Sequence, residues 1–227
     1  MSYPGIEIKV ELIVLQEYLN QLESSIQTAC DRYIENELSK YKNRDYEEYS
    51  HIYRIAETEI PRIIRLPVLV SMYALYESSM SRLLTYAQGK ESKTLGLNDI
   101  RARSMSDGFN KYSQHVLGFD YQIAENFLDE IKIISKIRNI IAHTNGNLTN
   151  EQFNDFRRWI NEDIEIQSNQ LDITYPFINK AMQCIRDIIE SLMKFLENTM
   201  IHRQLFFSWP SSFFNSIPRN RSNAYCF

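Results

Sequence analysis

Apolar residues recur every three or four positions through most of the chain, which is the spacing of amphipathic α-helices. We expect a first helix over residues 6–41. Its apolar positions are Val10, Ile13, Val14, Leu19, Leu22, Ile26 and Tyr33. The charged, tyrosine-rich stretch at 40–53 either continues this helix or links it to the next one. It contains no glycine- or proline-rich spacer of the kind that separates domains.

A nearly continuous apolar segment follows at 60–84, and past Pro67 it is apolar on almost every side. This pattern is typical of a central buried helix, in which Pro67 suits the first turn or a kink. Glu77 lies inside the segment, where a carboxylate needs a partner. We expect Arg138 to be that partner, and the alternative is an exposed Glu77.

In the second half of the chain, segments with helical spacing alternate with residues that are typical of turns. We expect a loop at 88–98, and then a helix at 98–117 that is interrupted near Asp107-Gly108. A further helix is expected at 120–142, with Asp120 as its N-cap.

Thr149 and Gln152 then form a capping box, which starts another helix that ends near Ile160. The period changes from helical to alternating at 164–174, which predicts a short β-hairpin around Ser168-Asn169-Gln170. Helical spacing returns at 175–200. These elements predict an all-α fold, an antiparallel helical bundle with a short β-hairpin before the last helix.

We expect one domain over residues 1–202, with its core at about 60–200, followed by an aromatic and basic tail at 203–227. The tail has three arginines and no acidic residue. Its aromatic residues and arginines can bind single-stranded nucleic acid, pack over an exposed groove, or form a loosely ordered end. Three charges are few for nucleic-acid binding, which favours the last two alternatives.

Composition limits the cellular locations and the kinds of partner that we expect for this chain. The net charge of −4 provides no overall basic field, so any nucleic-acid binding must depend on a local patch. The N-terminus lacks a basic and apolar leader, and charges interrupt the apolar run at 60–84, so we expect neither export nor membrane insertion. The three cysteines are Cys30, Cys184 and Cys226. Their spacing matches neither a disulfide framework nor a metal site, and we expect a cytoplasmic protein.

The segment at 135–146 carries the polar residues that point most directly to a function. Apolar residues precede and follow it at helical spacing, at Phe127, Ile131, Ile134 and Ile141. Arg138 falls in phase with them, where an unpaired guanidinium is costly. Asn139 and His143 are four residues apart and share one helix face. Three groups able to bind a phosphate therefore converge at a helix end.

Structural roles also account for these residues. An arginine in an apolar stripe can extend to water or pair with a carboxylate from another helix. A histidine followed by Thr-Asn-Gly can form a helix C-terminus. On chemistry alone, the structural roles are favoured.

The same three residues can act on RNA without a metal ion. A neutral imidazole at His143 can remove the proton from a ribose 2′-hydroxyl, whose oxygen attacks the adjacent phosphorus and leaves a 2′,3′-cyclic phosphate. Arg138 would bind the phosphate, and Asn139 would orient the phosphate or the imidazole. The chain has no Gly-rich phosphate loop and no Cys/His cluster, so we expect no cofactor and no metal. Because the reaction needs an acid as well as a base, we expect a two-fold dimer.

The run Arg138-Asn139-Ile140-Ile141-Ala142-His143 resembles the Arg-x(4–6)-His signature of the HEPN superfamily. The upstream segment at 72–80, which contains Glu77, is similar to the aromatic helix that precedes this signature in several HEPN families. The resemblance covers about residues 66–200, including the hairpin and the long final helix.

This resemblance implies a compact, HEPN-like helical bundle that is usually dimeric. Many HEPN proteins are metal-independent endoribonucleases in toxin–antitoxin, abortive-infection and other antiphage systems. By position, Arg138 and His143 are catalytic, Asn139 assists them, and Glu77 supports the site. We also expect Lys136 and Asn145, which flank the motif, to bind substrate. The implied partners are RNA, a second copy of the chain through the motif helix, and an antitoxin or defence-system protein.

One departure from the family pattern lies two residues after His143. Some HEPN toxins carry a tyrosine there, which a partner nucleotidyltransferase modifies, whereas this chain has Asn145. We therefore do not expect neutralisation by that route. Two other functions remain open at this point. One is a catalytically silent HEPN module that binds RNA, a nucleotide or a protein, and the other is a helical interaction protein in which Arg138 pairs with Glu77.

Overall fold

The computed structural model describes residues 2–41, 45–160 and 162–207, and most of them are helical. In chain order the elements are α1 (Gly5–Leu38), α2 (Tyr46–Arg54), α3 (Ile60–Lys90), α4 (Met105–Lys111), α5 (Glu125–Thr144), α6 (Asn150–Phe156), β1 (Ile164–Gln167), β2 (Gln170–Ile173) and α7 (Tyr175–Phe207). The all-α prediction, with a short β-hairpin before the last helix, is confirmed.

The central element is α3, which packs against α1, α5 and α7. It runs antiparallel to α1, because Arg82 near its end contacts Glu11 while Arg65 near its start contacts Glu23. Leu66, Leu69, Met72, Tyr76, Met80 and Leu83 of α3 are fully buried. They join apolar side chains of the other long helices in one core, which includes residues of α1.

The last helix, α7, runs antiparallel to α1 and therefore in the same direction as α3. At its start the Tyr175 hydroxyl donates a hydrogen bond to the Leu19 carbonyl at 3.0 Å. Two-thirds of the way along, Glu197 accepts a hydrogen bond from the Tyr3 hydroxyl at 3.1 Å. The first and last helices of the described chain are thus joined at two places, just before α1 begins and near its middle.

Helix α2 continues into α3 through a π-helical turn at Ile55–Glu59. The stretch at 46–53 is therefore helical. Pro61 occupies the first turn of α3, and Pro67 lies further along inside the helix. The continuous helix thus accommodates Pro61 directly after a π-helical turn, where its hydrogen bonding is already altered.

Two predictions for the middle of the chain are wrong. Asp120 does not cap α5, which begins after Ala124. Residues 119–123 form no regular secondary structure, and Phe119, Tyr121 and Ile123 alternate into the core while Asp120 is exposed. This alternation is the period of an extended strand, which overrides the N-cap signal.

The expected break at Asp107-Gly108 lies inside α4, so this prediction is also wrong. Helix α4 begins at Met105, and the Ser104 hydroxyl accepts a hydrogen bond from the Asp107 N–H. Asp107 in turn accepts a hydrogen bond from the Arg103 N–H at 2.9 Å. Residues that suggested a turn thus close the first turn of the helix.

The capping box and the hairpin are confirmed. The Thr149 N–H donates to Gln152 at 2.9 Å, and the Gln152 N–H donates back to Thr149 at 3.2 Å. In the hairpin, Ile164 pairs with Ile173 and Gln167 with Gln170. Ser168 and Asn169 form the turn with positive φ angles of 51° and 64°, the conformation of a type I′ turn.

The apolar pattern of α1 is only half buried. Leu19, Leu22 and Ile26 lie in the core as expected, together with Ile8 and Leu12. In contrast, Val10, Ile13 and Val14, which belong to the same apolar pattern, are exposed. In the tail, the backbone of α7 continues to Phe207, and the tail predictions for 208–227 lie outside the described residues.

Candidate functional site

A tight turn ends α5 and sets the position of the motif residues. Asn145 adopts the left-handed conformation with a φ angle of 52°, and its N–H donates to the Ile141 carbonyl at 2.9 Å. Gly146 follows with a φ angle of 80°, and a Cβ atom there would lie 2.8 Å from a methyl group of Leu66. The turn therefore requires glycine at 146, both for its backbone conformation and for its packing.

Two contacts fix this turn to the rest of the fold. The Gly146 carbonyl accepts a hydrogen bond from the Leu171 N–H of β2 at 2.8 Å. On the other side, buried Arg62 of α3 donates to the Asn145 carbonyl at 3.4 Å and pairs with Glu59 at 3.0 Å. The hairpin and the start of α3 thus hold the end of α5 in place.

Arg138 is held by three neighbours. One of its terminal nitrogens lies 2.9 Å from a Glu77 carboxylate oxygen, and the other donates to the Asn139 side-chain carbonyl at 2.9 Å. The guanidinium carbon lies 5.0 Å from the centre of the Tyr73 ring, within range of a cation–π contact. The expected pairing of Arg138 with Glu77 is confirmed.

This ion pair is half-buried, with 28% of the Arg138 side chain and 25% of the Glu77 side chain exposed. Tyr73 beside it is buried, and burial raises the pKa of its hydroxyl. The guanidinium keeps an exposed part at the edge of the core. It can therefore contact an anion that approaches from solvent while Glu77 holds it from behind.

His143 lies in the last turn of α5 and is exposed. Among residues 2–41, 45–160 and 162–199, no hydrogen bond or ion pair reaches its imidazole. It follows Asn139 by one helical turn on the same side of the helix. The imidazole is thus open to a ligand from solvent.

Four polar residues align on the solvent side of α5, which we call the α5 stripe: Lys132, Lys136, Asn139 and His143. Their spacing of four, three and four places them on one helix face. Lys132, Asn139 and His143 are exposed, whereas Lys136 is half-buried. The stripe presents two cations, an amide and an imidazole in a line about 16 Å long, at the rise of 1.5 Å per residue.

Trp159, just after α6, lies beside the stripe and explains the burial of Lys136. The Lys136 ammonium lies 4.2 Å from the centre of the Trp159 ring, and the Arg158 guanidinium carbon lies 4.3 Å from the same centre. Burial, followed by the charge of Arg158, lowers the pKa of Lys136. Two cations on one aromatic ring form a local basic patch in a chain whose net charge is negative.

A groove of about 500 Å³ opens between α5, α4 and α3. Tyr73 of the Arg138 contact, Asn110, Lys132 and Lys136 are among its lining residues. The groove thus connects the side of α5 that holds Arg138 with the side that carries the α5 stripe.

The structure brings together part of the expected set. Glu77, Arg138 and Asn139 form one bonded cluster, and His143 lies one turn beyond Asn139. Lys136 contacts Trp159, and Asn145 forms the turn that ends the helix.

Sequence reasoning missed Lys132, Arg158 and Trp159. The four-three-four spacing of the α5 stripe would have identified Lys132. Arg158 and Trp159 come from a short helical turn after α6 and carry no periodic signal.

Within the described ranges there is no group of three or more histidine, cysteine, aspartate or glutamate residues that could hold a metal ion. None of the helices in those ranges is both long and apolar enough to cross a membrane. Comparisons of the chain with protein-family models, curated proteins and solved structures found no match.

Proposed function

We propose that the protein is a metal-independent endoribonuclease of HEPN type, which cleaves RNA as a dimer in prokaryotic antiphage defence or as a toxin. One observation carries this proposal: the exposed His143 imidazole lies one turn beyond Asn139, which itself holds the Arg138 guanidinium. An imidazole that can act as a general base and a phosphate-binding cation thus occur at one helix end.

In the proposed reaction the neutral His143 imidazole accepts the proton of a ribose 2′-hydroxyl. The 2′-oxygen forms a bond to the adjacent phosphorus, and the bond from phosphorus to the 5′-oxygen breaks. A proton returned to that oxygen yields a 2′,3′-cyclic phosphate and a free 5′-hydroxyl. Arg138 offsets the charge that develops on the phosphate oxygens, while Glu77 keeps the guanidinium in place.

The helix geometry supports a dimeric site. His143 follows Arg138 by five positions, which corresponds to about 140° around the helix axis and about 7.5 Å along it. Within one chain the two side chains therefore leave α5 on different sides. A second α5, packed across a two-fold axis, would bring the Arg138 of one subunit toward the His143 of the other.

The test is cleavage of a single-stranded ribo-oligonucleotide by the purified protein in buffer with EDTA. We expect His143→Ala to lower the cleavage rate by about 10²- to 10⁴-fold, the usual contribution of a general base. His115→Ala is the matched control, because His115 is also exposed but lies on the turn after α4. The product must carry a 2′,3′-cyclic phosphate, and equal rates for wild type and His143→Ala would refute the proposal.

The dimeric site has its own test, which uses two inactive variants. Arg138→Gln and His143→Ala are mixed under conditions that allow subunits to exchange. If the site combines residues of both subunits, each heterodimer contains one intact pair and recovers part of the activity. No recovery, with heterodimers present, would exclude a site formed by the Arg138 of one subunit and the single His143 of the other.

The second candidate function is RNA binding without cleavage. The basic patch around Trp159 favours it, since cations on an aromatic ring beside an exposed polar stripe can hold a nucleic-acid strand without chemistry. In that case the wild type binds the oligonucleotide and does not cleave it, and His143→Ala binds equally well. A filter-binding titration alongside the cleavage assay separates the two functions.

A further inference from the structure

Helix α1 has two apolar sides, and only one of them faces the core. Ile6, Val10, Ile13 and Val14 are 77%, 54%, 66% and 63% exposed, respectively. Their spacing places them on one side of the helix, opposite the buried Ile8, Leu12 and Leu19. We call these four exposed residues the α1 outer face.

The side chains of the described residues leave this outer face open to solvent. Single exposed apolar residues are ordinary, but four adjacent ones form a patch, and such patches mark contact sites. Burial of one large apolar side chain contributes about 1.5–3 kcal/mol of favourable free energy, so covering all four would contribute several kcal/mol. An occupant is therefore expected.

The C-terminal part of α7 passes the end of α1 at which this outer face begins. Near the N-terminus of α1, the Tyr3 hydroxyl contacts Glu197 of α7, and Met193 lies beside Gly5. Residues 208–227 therefore begin about 15 Å beyond the start of α1, as ten further helical residues separate Glu197 from Phe207.

The length of residues 208–227 is sufficient to reach back over α1. From Phe207 to the far end of the outer face, the path is roughly 30 Å, since it returns along the last turns of α7 and then along α1 to Val14. Twenty extended residues span up to about 65 Å. A chain of this length reaches the outer face with slack for turns at its two prolines, Pro210 and Pro218.

The composition of residues 208–227 also fits this face. The large apolar residues in it are Trp209, Phe213, Phe214, Ile217, Tyr225 and Phe227. Its charged side chains, Arg219 and Arg221, are both basic. Glu17 of α1 lies on the same side of the helix and is exposed, so its carboxylate offers complementary charge, whereas Glu7 is paired with Arg82.

We propose that residues 208–227 fold back within the same chain and pack over the α1 outer face. In this arrangement the aromatic side chains cover Val10, Ile13 and Val14, and the arginines lie toward Glu17. The proposal is independent of RNA cleavage, because α1 carries none of the motif residues. It assigns the aromatic and basic tail to the fold of its own subunit.

The tail contains a natural probe for this contact, the thiol of Cys226. The full-length variants Val10→Cys and Val14→Cys each place a second accessible thiol on the outer face. Gln27→Cys is the matched control, because Gln27 is exposed on α1 but lies about 20 Å beyond Val14 along the helix, outside that face. Cys30 and Cys184 are buried and do not compete.

Each variant is oxidised with copper phenanthroline, and the disulfide-linked peptides are identified by mass spectrometry. Docking raises the effective concentration of Cys226 at the outer face, so we expect an intramolecular disulfide about tenfold faster at positions 10 and 14 than at 27. Thermal unfolding followed by circular dichroism confirms that each variant is folded. Equal rates at the three positions would overturn the proposal. A disulfide between two chains at position 10 or 14 would also overturn it, because the occupant would then be a second copy.

Discussion

The two sides of the last turns of α5 contrast sharply in how they are bonded. On the inner side, Arg138 contacts Glu77 and Tyr73, and the turn at Gly146 is tied to β2. On the outer side, His143 is exposed and is reached by no hydrogen bond or ion pair from the rest of the described chain. One side is linked to the fold and the other is free for a ligand.

This difference shows which substitutions should affect stability and which should affect activity alone. Substitutions on the inner side should change the free energy of unfolding, because they remove contacts or strand a charge. Substitutions on the outer side should leave that free energy nearly unchanged. A loss of activity there would therefore reflect chemistry and not unfolding.

The strongest test of the inner side is Gly146→Ala. We expect a loss of about 2–3 kcal/mol in the free energy of unfolding, because alanine is strained at positive φ and its methyl group would displace buried Leu66. Urea denaturation measures this loss.

Gly118→Ala is the matched control for that test. Gly118 also has a positive φ angle, of 70°, but a Cβ atom there meets open space. We expect a loss of only about 1 kcal/mol from backbone strain. Equal losses at both glycines would show that contact with Leu66 does not matter.

A smaller effect is expected from Arg138→Ala. It leaves the half-buried Glu77 carboxylate without its cation, and we expect a loss of about 1–2 kcal/mol in the free energy of unfolding. A double-mutant cycle with Glu77→Ala should give a coupling energy of about 1 kcal/mol.

The control for this cycle is Lys111→Ala, which removes the more exposed ion pair with Asp107 on α4. Its expected loss is only about 0.3–0.5 kcal/mol, as for other exposed pairs on one helix. If Arg138→Ala costs no more than this control, the ion pair does not anchor the inner side.

The smallest effect on the free energy of unfolding is expected on the outer side of α5. His143→Ala should change the free energy of unfolding by less than about 0.5 kcal/mol, because an exposed side chain without partners is removed. Ile141→Ala, two residues earlier on the buried side, should cost about 2–4 kcal/mol. A large loss from His143→Ala in the same denaturation assay would contradict the division between the two sides.

The Arg138–Glu77 contact was predictable from sequence for a physical reason. Each residue lies within a strongly apolar helix, and two opposite charges near a core are most stable when they meet. The hairpin was predictable as well, because its alternation and its Ser-Asn turn are local signals. In both cases the information lies within the elements themselves.

The outer face of α1 and the ring at Trp159 were not predictable in the same way. Helix α1 is apolar on two sides, and the choice between them depends on how α3 and α7 pack against it. The contact of Lys136 with Trp159 joins two segments more than 20 residues apart, one of which is a short turn. Tertiary packing decides such contacts, and periodicity does not encode it.

The bond between Tyr3 and Glu197 has a consequence for the order of events during synthesis. These two residues are separated by 194 positions, so the buried side of α1 leaves the ribosome long before its α7 partners exist. Domains fold as units when their sequence is complete, and contacts this distant form late. The end of α5 is therefore translated before the bundle that orients it can close, and a nascent chain carries the motif without the finished site.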